Sequence, residues 1–225
     1  MDFFATLSQV FILFLLLIVG FFTRRLNIVD QSFTKNLSNF IFSIIMPALI
    51  IDSMVYPFSV ELLLDSAKLI IISICVLILS MLVGIVAVKL MKVDSFSKNI
   101  YIFGILFSNF GFMGYPVVEI LFGEKGLFYL AVYNIPIYFL VNSFGIILIQ
   151  RGKEKNPKLT FKQIINPPIV AVVLGFILFL FSIRLPDPIA RTISMLANVT
   201  TPLSMVLAGM ILANAKFVEM FNNFR

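Results

Sequence analysis

Seven apolar runs govern what this chain can become, at roughly 3–22, 36–55, 69–88, 100–121, 127–149, 164–183 and 193–215, each near the ~20 residues a helix needs to cross a bilayer core. In lipid a backbone N–H or C=O has no water to turn to, so a spanning run of this length must be helical. The expected fold is therefore an all-α, polytopic membrane helix bundle of about seven transmembrane helices. Composition agrees, with 60% hydrophobic and 12% charged residues and a mean hydropathy of +1.07, outside the range of soluble domains. The first run begins "MDFF", acidic where a signal peptide is basic, and no A-x-A-like site follows Gly20, so it reads as a true span. One cysteine, Cys75 in the third run, builds neither a disulfide framework nor a metal cluster; it reads as a small apolar packing residue.

The net charge of +6 is sorted by side. Arg24, Arg25, Lys35, Lys89, Lys92, Lys98, Arg151, Lys153, Lys155, Lys158, Lys162, Lys216 and Arg225 follow odd-numbered spans; only Lys68, Lys125, Arg184 and Arg191 follow even ones. Positive residues stay cytoplasmic. The amino terminus is therefore expected outside, with the loop 151–163 ("RGKEKNPKLTFK") in the cytoplasm of a cell whose inner membrane holds the chain. Topology accounts for that loop's charge, and no nucleic-acid partner is called for.

Spans one and two can be laid on spans six and seven at a constant offset. Gly20 falls on Gly175 (175 − 20 = 155) and Pro47 on Pro202 (202 − 47 = 155). Five spans separate the members of each pair, so the second copy runs opposite to the first, an inverted-topology repeat of the kind common in secondary transporters. The expected organisation is a first five-helix repeat over 1–150, a basic loop over 151–163, and the start of an inverted second repeat over 164–225. On that reading about three further spans, on the order of 90 residues, would complete the second repeat, and truncation is the favoured account.

Span four carries "NFGFMGYP", Asn109 to Pro116. Each of Gly111 and Gly114 costs a helix about 1 kcal/mol relative to Ala, and an interior proline about 3 kcal/mol. Together they predict a broken helix, tolerated in a membrane only where protein or a wet cavity satisfies the freed backbone, which points to a binding site. Ser108, Asn109 and Tyr115 stand ready to hydrogen-bond a ligand or the unwound chain; close helix packing by the glycines is the competing account. In span five, Pro136 frees the carbonyl near Val132, with Asn134 placed to satisfy it or to touch substrate. Asn142, eight residues on, shares the face of Asn134. Pro47, Pro136 and Pro202 read as hinges, with Thr200, Thr201 and Ser204 available to the backbone near the last, and Gly209 as a packing glycine.

Only two acids lie inside the spans, Asp52 and Glu119. Intramembrane carboxylates suggest ion or proton coupling. Both also lie toward the outer ends of their spans, within reach of headgroups, while Glu119 follows Pro116 by one turn and can line the same cavity. The chain has no histidine, which rules out Ser–His dyads and HExxH metal sites, and no Walker A sequence, so neither an enzyme nor a cofactor or metal is expected.

The motifs "NFIFSIIMPALI" in span two, "SNFGFMGYPV" and "LFGEKGLFYLAVYN" across spans four and five, and "NPPIVAVVLGFIL…LPDPI…LANVTTPLSMVLAGMIL" across spans six and seven resemble the auxin efflux carrier family, which includes bacterial malate and malonate permeases. The resemblance implies a secondary carrier of ten helices in two inverted repeats, whose fourth and ninth spans break and cross at the substrate. Carried over, Asn109, Gly111, Gly114 and Pro116 form the first crossover, and a half-helix N-terminus there suits a carboxylate. The expected function is alternating-access transport of small organic anions such as dicarboxylates, with the lipid bilayer as partner and a homodimer as one available assembly. A non-transporting membrane subunit or remnant is the alternative.

Overall fold

Local chemistry marks where helices begin. Asp30 accepts the Phe33 N–H at 2.7 Å and Asn166 accepts the Ile169 N–H at 3.0 Å, two side-chain caps on otherwise orphaned donors. Pro167 and Pro168 follow Asn166 at the first helical positions, where no N–H is needed. The computed structural model describes residues 3–91, 95–107, 113–150 and 165–214.

Helix α1 is Phe3–Arg25. Helix α2 (Gln31–Phe40) runs through a π-helical turn, Ile41–Ile45, into α3 (Met46–Met54). Helix α4 is Val60–Met91 and α5 is Ser95–Leu106. Helix α6 (Tyr115–Leu140) leads through a second π-helical turn, Val141–Gly145, to α7 (Ile146–Gln150). Helices α8 (Pro167–Leu180), α9 (Asp187–Asn198) and α10 (Thr200–Ala213) follow. Five helical stretches are long and apolar enough to cross a membrane, Leu7–Arg25, Gln31–Met54, Val60–Met91, Tyr115–Gln150 and Asp187–Ala213, and Pro167–Leu180 is a shorter apolar helix.

Two spans differ from their sequence outlines. The third is longer, 32 residues, because the apolar run continues helically through Glu61, Asp65 and Lys68 at one end. The fourth and fifth share a nominal helix kinked at Gly123, whose backbone (φ 62°, ψ −157°) is open to glycine and strained for other residues. Gly123 thus separates a short segment, residues 115–122, from the long helix after it, with no loop between.

The bundle packs α1 along α10, and α3 against α8 and α9, while α4 lies against α5 and α6. Glycine sets the first of these contacts. A Cβ on Gly20 would overlap the Val206 carbonyl, and one on Gly209 would overlap the Leu17 carbonyl and lie 2.8 Å from the Phe21 nitrogen. The two backbones therefore touch, as small residues permit in membranes. At one end Leu13 and Met205 line one cavity and at the other Arg24 hydrogen-bonds Asn214, so α1 and α10 run parallel. In the second contact a Cβ on Gly175 would meet the Met54 Cβ and Sδ, each at 2.9 Å.

The largest core cluster joins Met46, Leu49, Ile50 and Met54 of α3 to Tyr115, Phe128 and Val132 of α6 and Val172 and Phe179 of α8. Outside it, Phe11, Phe14 and Phe22 of α1 and Ile71, Ile78, Leu79 and Leu82 of α4 are exposed. In a polytopic membrane protein such exposure is the lipid-facing surface.

Candidate functional site

Asn109 and Gly111 of the predicted crossover lie outside the described residues. Gly114 does not itself break the chain: its backbone is right-handed helical (φ −66°, ψ −48°). Pro116 sits in the first turn of α6 and is buried. A proline there avoids most of the interior penalty, since the first N–H groups of a helix have no partner to lose.

Tyr115, next to it, is fully buried, and its hydroxyl lies 3.3 Å from that of Tyr138, one of the two donating to the other. The Tyr138 hydroxyl also approaches the Met46 sulfur at 3.9 Å. This brings the start of α6, its far half and the start of α3 to one point. Neither Tyr138 nor Met46 was singled out in the sequence, because both look like ordinary core residues there.

Asn134 is fully buried, and its side chain lies against the Tyr115 hydroxyl without closing a hydrogen bond of good geometry. It does not close the gap that Pro136 leaves at the Val132 carbonyl. An amide buried without a well-formed hydrogen bond costs up to about 1–3 kcal/mol by mutational measure, so its presence beside the Tyr115–Tyr138 pair, one turn before Tyr138, needs a reason. Asn142 behaves differently: its Nδ2 donates to the Tyr138 carbonyl at 2.8 Å within the same helix, where the second π-helical turn begins. The two asparagines share a face, and only the first lacks a well-formed hydrogen bond.

Two of the prolines expected as hinges each accompany an irregular turn. Pro47 follows the first π-helical turn, and Pro202 is the third residue of α10, just past the break at Val199. The hydroxyls near Pro202 do not repair the backbone. Thr201 donates to Glu119 Oε2 at 2.6 Å, and the buried Thr200 and Ser204 hydroxyls have no partner.

Glu119 therefore reaches α10. Thr201 lies 14 residues from Asp187 and 12 from Ala213, with about 21 Å of helix on one side and about 18 Å on the other. A small apolar cavity of about 110 Å³ lies beside this contact, between Leu13 and Phe14 of α1, Val117 of α6 and Met205 of α10. Asp52, by contrast, sits near the end of α3, half-exposed and facing Glu124.

Two polar stripes stand out on otherwise apolar spans. On α9, Asp187, Arg191, Ser194 and Asn198 recur at spacings of 4, 3 and 4, and Thr201 follows three residues on. On α2 and the turn after it, Ser32, Asn36, Asn39 and Ser43 recur at the same spacings. Such spacing keeps each set on one face. All are exposed except Ser194 and Thr201, which are half-buried. No group of three or more His, Cys, Asp or Glu side chains placed to hold a metal occurs among the described residues.

A bundle of long apolar helices, with buried polar groups gathered at helix breaks inside it, defines a polytopic membrane protein. A sequence profile of the family described as "membrane transport protein" matches residues 5–159 and 154–223, and the chain belongs to that family, which is auxin efflux carrier-like. It is a transporter-family protein and not an enzyme. Among its relatives, an "uncharacterized transporter" of Methanocaldococcus jannaschii is 27% identical over 212 residues, 92% of this chain and 69% of that one. Another "uncharacterized transporter", from Methanothermobacter thermautotrophicus, is 26% identical over 223 residues, 97% of this chain and 72% of that one.

Proposed function

We propose that the chain carries small organic anions, dicarboxylates or other carboxylates, across the cell membrane by alternating access. The observation that carries this reading is Asn134, a fully buried amide set against the Tyr115–Tyr138 hydroxyl pair at the head of the broken span, with neither end held in a hydrogen bond of good geometry. Amide and phenol hydrogens are donors suited to a carboxylate, and a neutral site binds an anion without holding it too tightly to release. Asn109, Gly111, Gly114 and Pro116 complete the site, the half-helix at Tyr115 turning its N-terminal end toward the anion. Asn142 positions the helix behind Asn134; Asp52 and Glu119 are the residues through which an ion gradient is coupled.

Residues 1–150 form one repeat and 164–225 the start of an inverted second. Supporting this, the glycines at 20 and 175 both lie at close helix contacts, and the irregular turns before Pro47 and Pro202 occupy matching positions. The stripes on α2 and α9 also match at the same offset (187 − 32 = 155). The amino terminus is outside and the loop 151–163 cytoplasmic, by the sorting of basic residues.

Uptake of labelled dicarboxylates into proteoliposomes tests this. Asn134→Ala, Asn109→Ala and Pro116→Ala are compared with the parent. Loss of a hydrogen bond to a charged ligand is worth about 1.5–3 kcal/mol, so Asn134→Ala is expected to lower uptake about 10- to 150-fold. Unchanged uptake in all three variants would show that the site lies elsewhere.

A further inference from the structure

Glu119 is a half-buried carboxylate against the middle of the α9–α10 stretch, with no basic partner among the described residues. The ion pairs among the described residues are Lys68–Asp65 and Arg191–Asp187, and neither reaches it. A charge so placed must be paired or neutralised.

Its hydrogen-bond partner is an oxygen, and more oxygens follow on the same helix. Thr201 Oγ1 is 2.6 Å from Glu119 Oε2. Pro202 has no N–H, so the Asn198 carbonyl, four residues earlier, has lost its helical donor at the α9–α10 break. Ser204 is fully buried and its hydroxyl is unpartnered. At 100° per residue it stands about 60° around α10 from Thr201 and about 40° from Thr200, whose buried hydroxyl is likewise unpaired. One carboxylate among neutral hydroxyl and carbonyl oxygens at a helix break is the ligand chemistry of a hard cation of low charge.

The α9 stripe supplies a route. Asp187, Arg191, Ser194 and Asn198 lead down one face to Thr201, and the Asp187–Arg191 pair at its mouth, 2.9 Å apart, carries no net charge to repel a cation.

We propose that Glu119, Thr201, Ser204 and the free Asn198 carbonyl bind a sodium ion that enters along α9 from the Asp187 end. That this ion drives anion transport rests on the carrier reading above; the site itself does not. Coupling follows from position. Tyr115 and Glu119 are one turn apart on the same short segment, residues 115–122, so neighbouring positions on one helix hold the anion and the cation. An empty Glu119 repels the anion, and a filled one does not.

The test is thermal unfolding of the purified chain in micelles as sodium replaces potassium or N-methylglucamine at constant ionic strength. A ligand of the folded state raises the midpoint in proportion to its occupancy. Sodium is expected to raise it and the other two cations are not. The half-saturating sodium concentration should rise at least about tenfold in Thr201→Val and in Glu119→Gln, the loss that even an outer-shell partner causes at a metal site, and recover in Thr201→Ser. If Glu119→Gln does not fold, the Thr201 pair carries the test. With Cys75→Ser as background, Asn198→Cys should react with a membrane-impermeant thiol reagent more slowly in sodium.

An equal response to all three cations overturns the sodium site. So does stabilisation of the parent by acid alone that Glu119→Gln abolishes, which would make the group a proton carrier. Sodium stabilisation that needs Glu119, with no anion uptake by the parent, leaves the site standing and removes the carrier reading. Anion uptake indifferent to sodium, with no stabilisation, does the reverse.

Discussion

Replacing Asn134 by Leu should make the protein more stable and less active at once. The side chain is fully buried and its contact with the Tyr115 hydroxyl falls short of hydrogen-bond geometry, so its burial costs up to about 1–3 kcal/mol. Leucine is close in volume, and a swap that keeps volume gives back less than about 1.5 kcal/mol in packing. The net gain at the middle of these ranges is about 1 kcal/mol. In a chain of 150–250 residues that raises the unfolding midpoint by about 2–4 °C. Far-UV circular dichroism of the detergent-solubilised protein reads the midpoint, since a chain without tryptophan lacks the usual fluorescent reporter. Proteoliposome uptake reads the function, and it should fall by the same 10- to 150-fold, about 1.5–3 kcal/mol, as for Asn134→Ala. Two results would refute the reasoning. A lower midpoint would mean that the amide is held by a protein group and is structural; a higher midpoint with full uptake would mean that it never touches the anion.

Gly20→Ala and Gly209→Ala should each destabilise by about 1–3 kcal/mol, because the added methyl meets backbone rather than a yielding side chain. Their double variant should lose less than the sum in a thermal double-mutant cycle, since both force apart the same two helices. Gly123→Ala should lose about 1–2 kcal/mol although nothing lies within 4 Å of its Cβ position, because φ is 62°. Gly104→Ala, equally uncrowded but helical, should gain about 0.4–1 kcal/mol in the same melts. The N–H of Phe33, and then Ser32, hold the Asp30 carboxyl below its usual range. That depressed value adds stability above the unfolded pKa, about 3.9, which disappears as pH falls through the folded value. Asp30→Ala should therefore melt below the parent at pH 7, and the gap should close in acid.

The helices were legible because lipid imposes one solution on a long apolar run; the kink at Gly123 was not, since the two spans were expected to be separate helices. The site was legible only where residues break a helix. Pro116, Pro136 and Pro202 announce unsatisfied backbone wherever they fall, but they do not say which side chain answers it. Asn134 and Thr201 were each nominated to do so, and each does something else, because the direction of a side chain depends on the helix packed against it. Tyr138 and Met46 gave no signal, their spacing being that of any core face. Glu119 gave no sign of its contact with Thr201 for the same reason: counting residues along a straight span cannot register that a short, kinked segment leans against the break in another helix.

That segment, residues 115–122, is a lever arm of about 12 Å. Its one described covalent fulcrum is Gly123, where no neighbouring atom crowds the Cβ position. A few degrees of rotation there displaces the near end, at Glu119, less than the far end, at Tyr115, while changing both together. Gearing of this sort converts a small shift at one end into a larger stroke at the other, and a bulkier residue at the fulcrum would jam it without touching either contact.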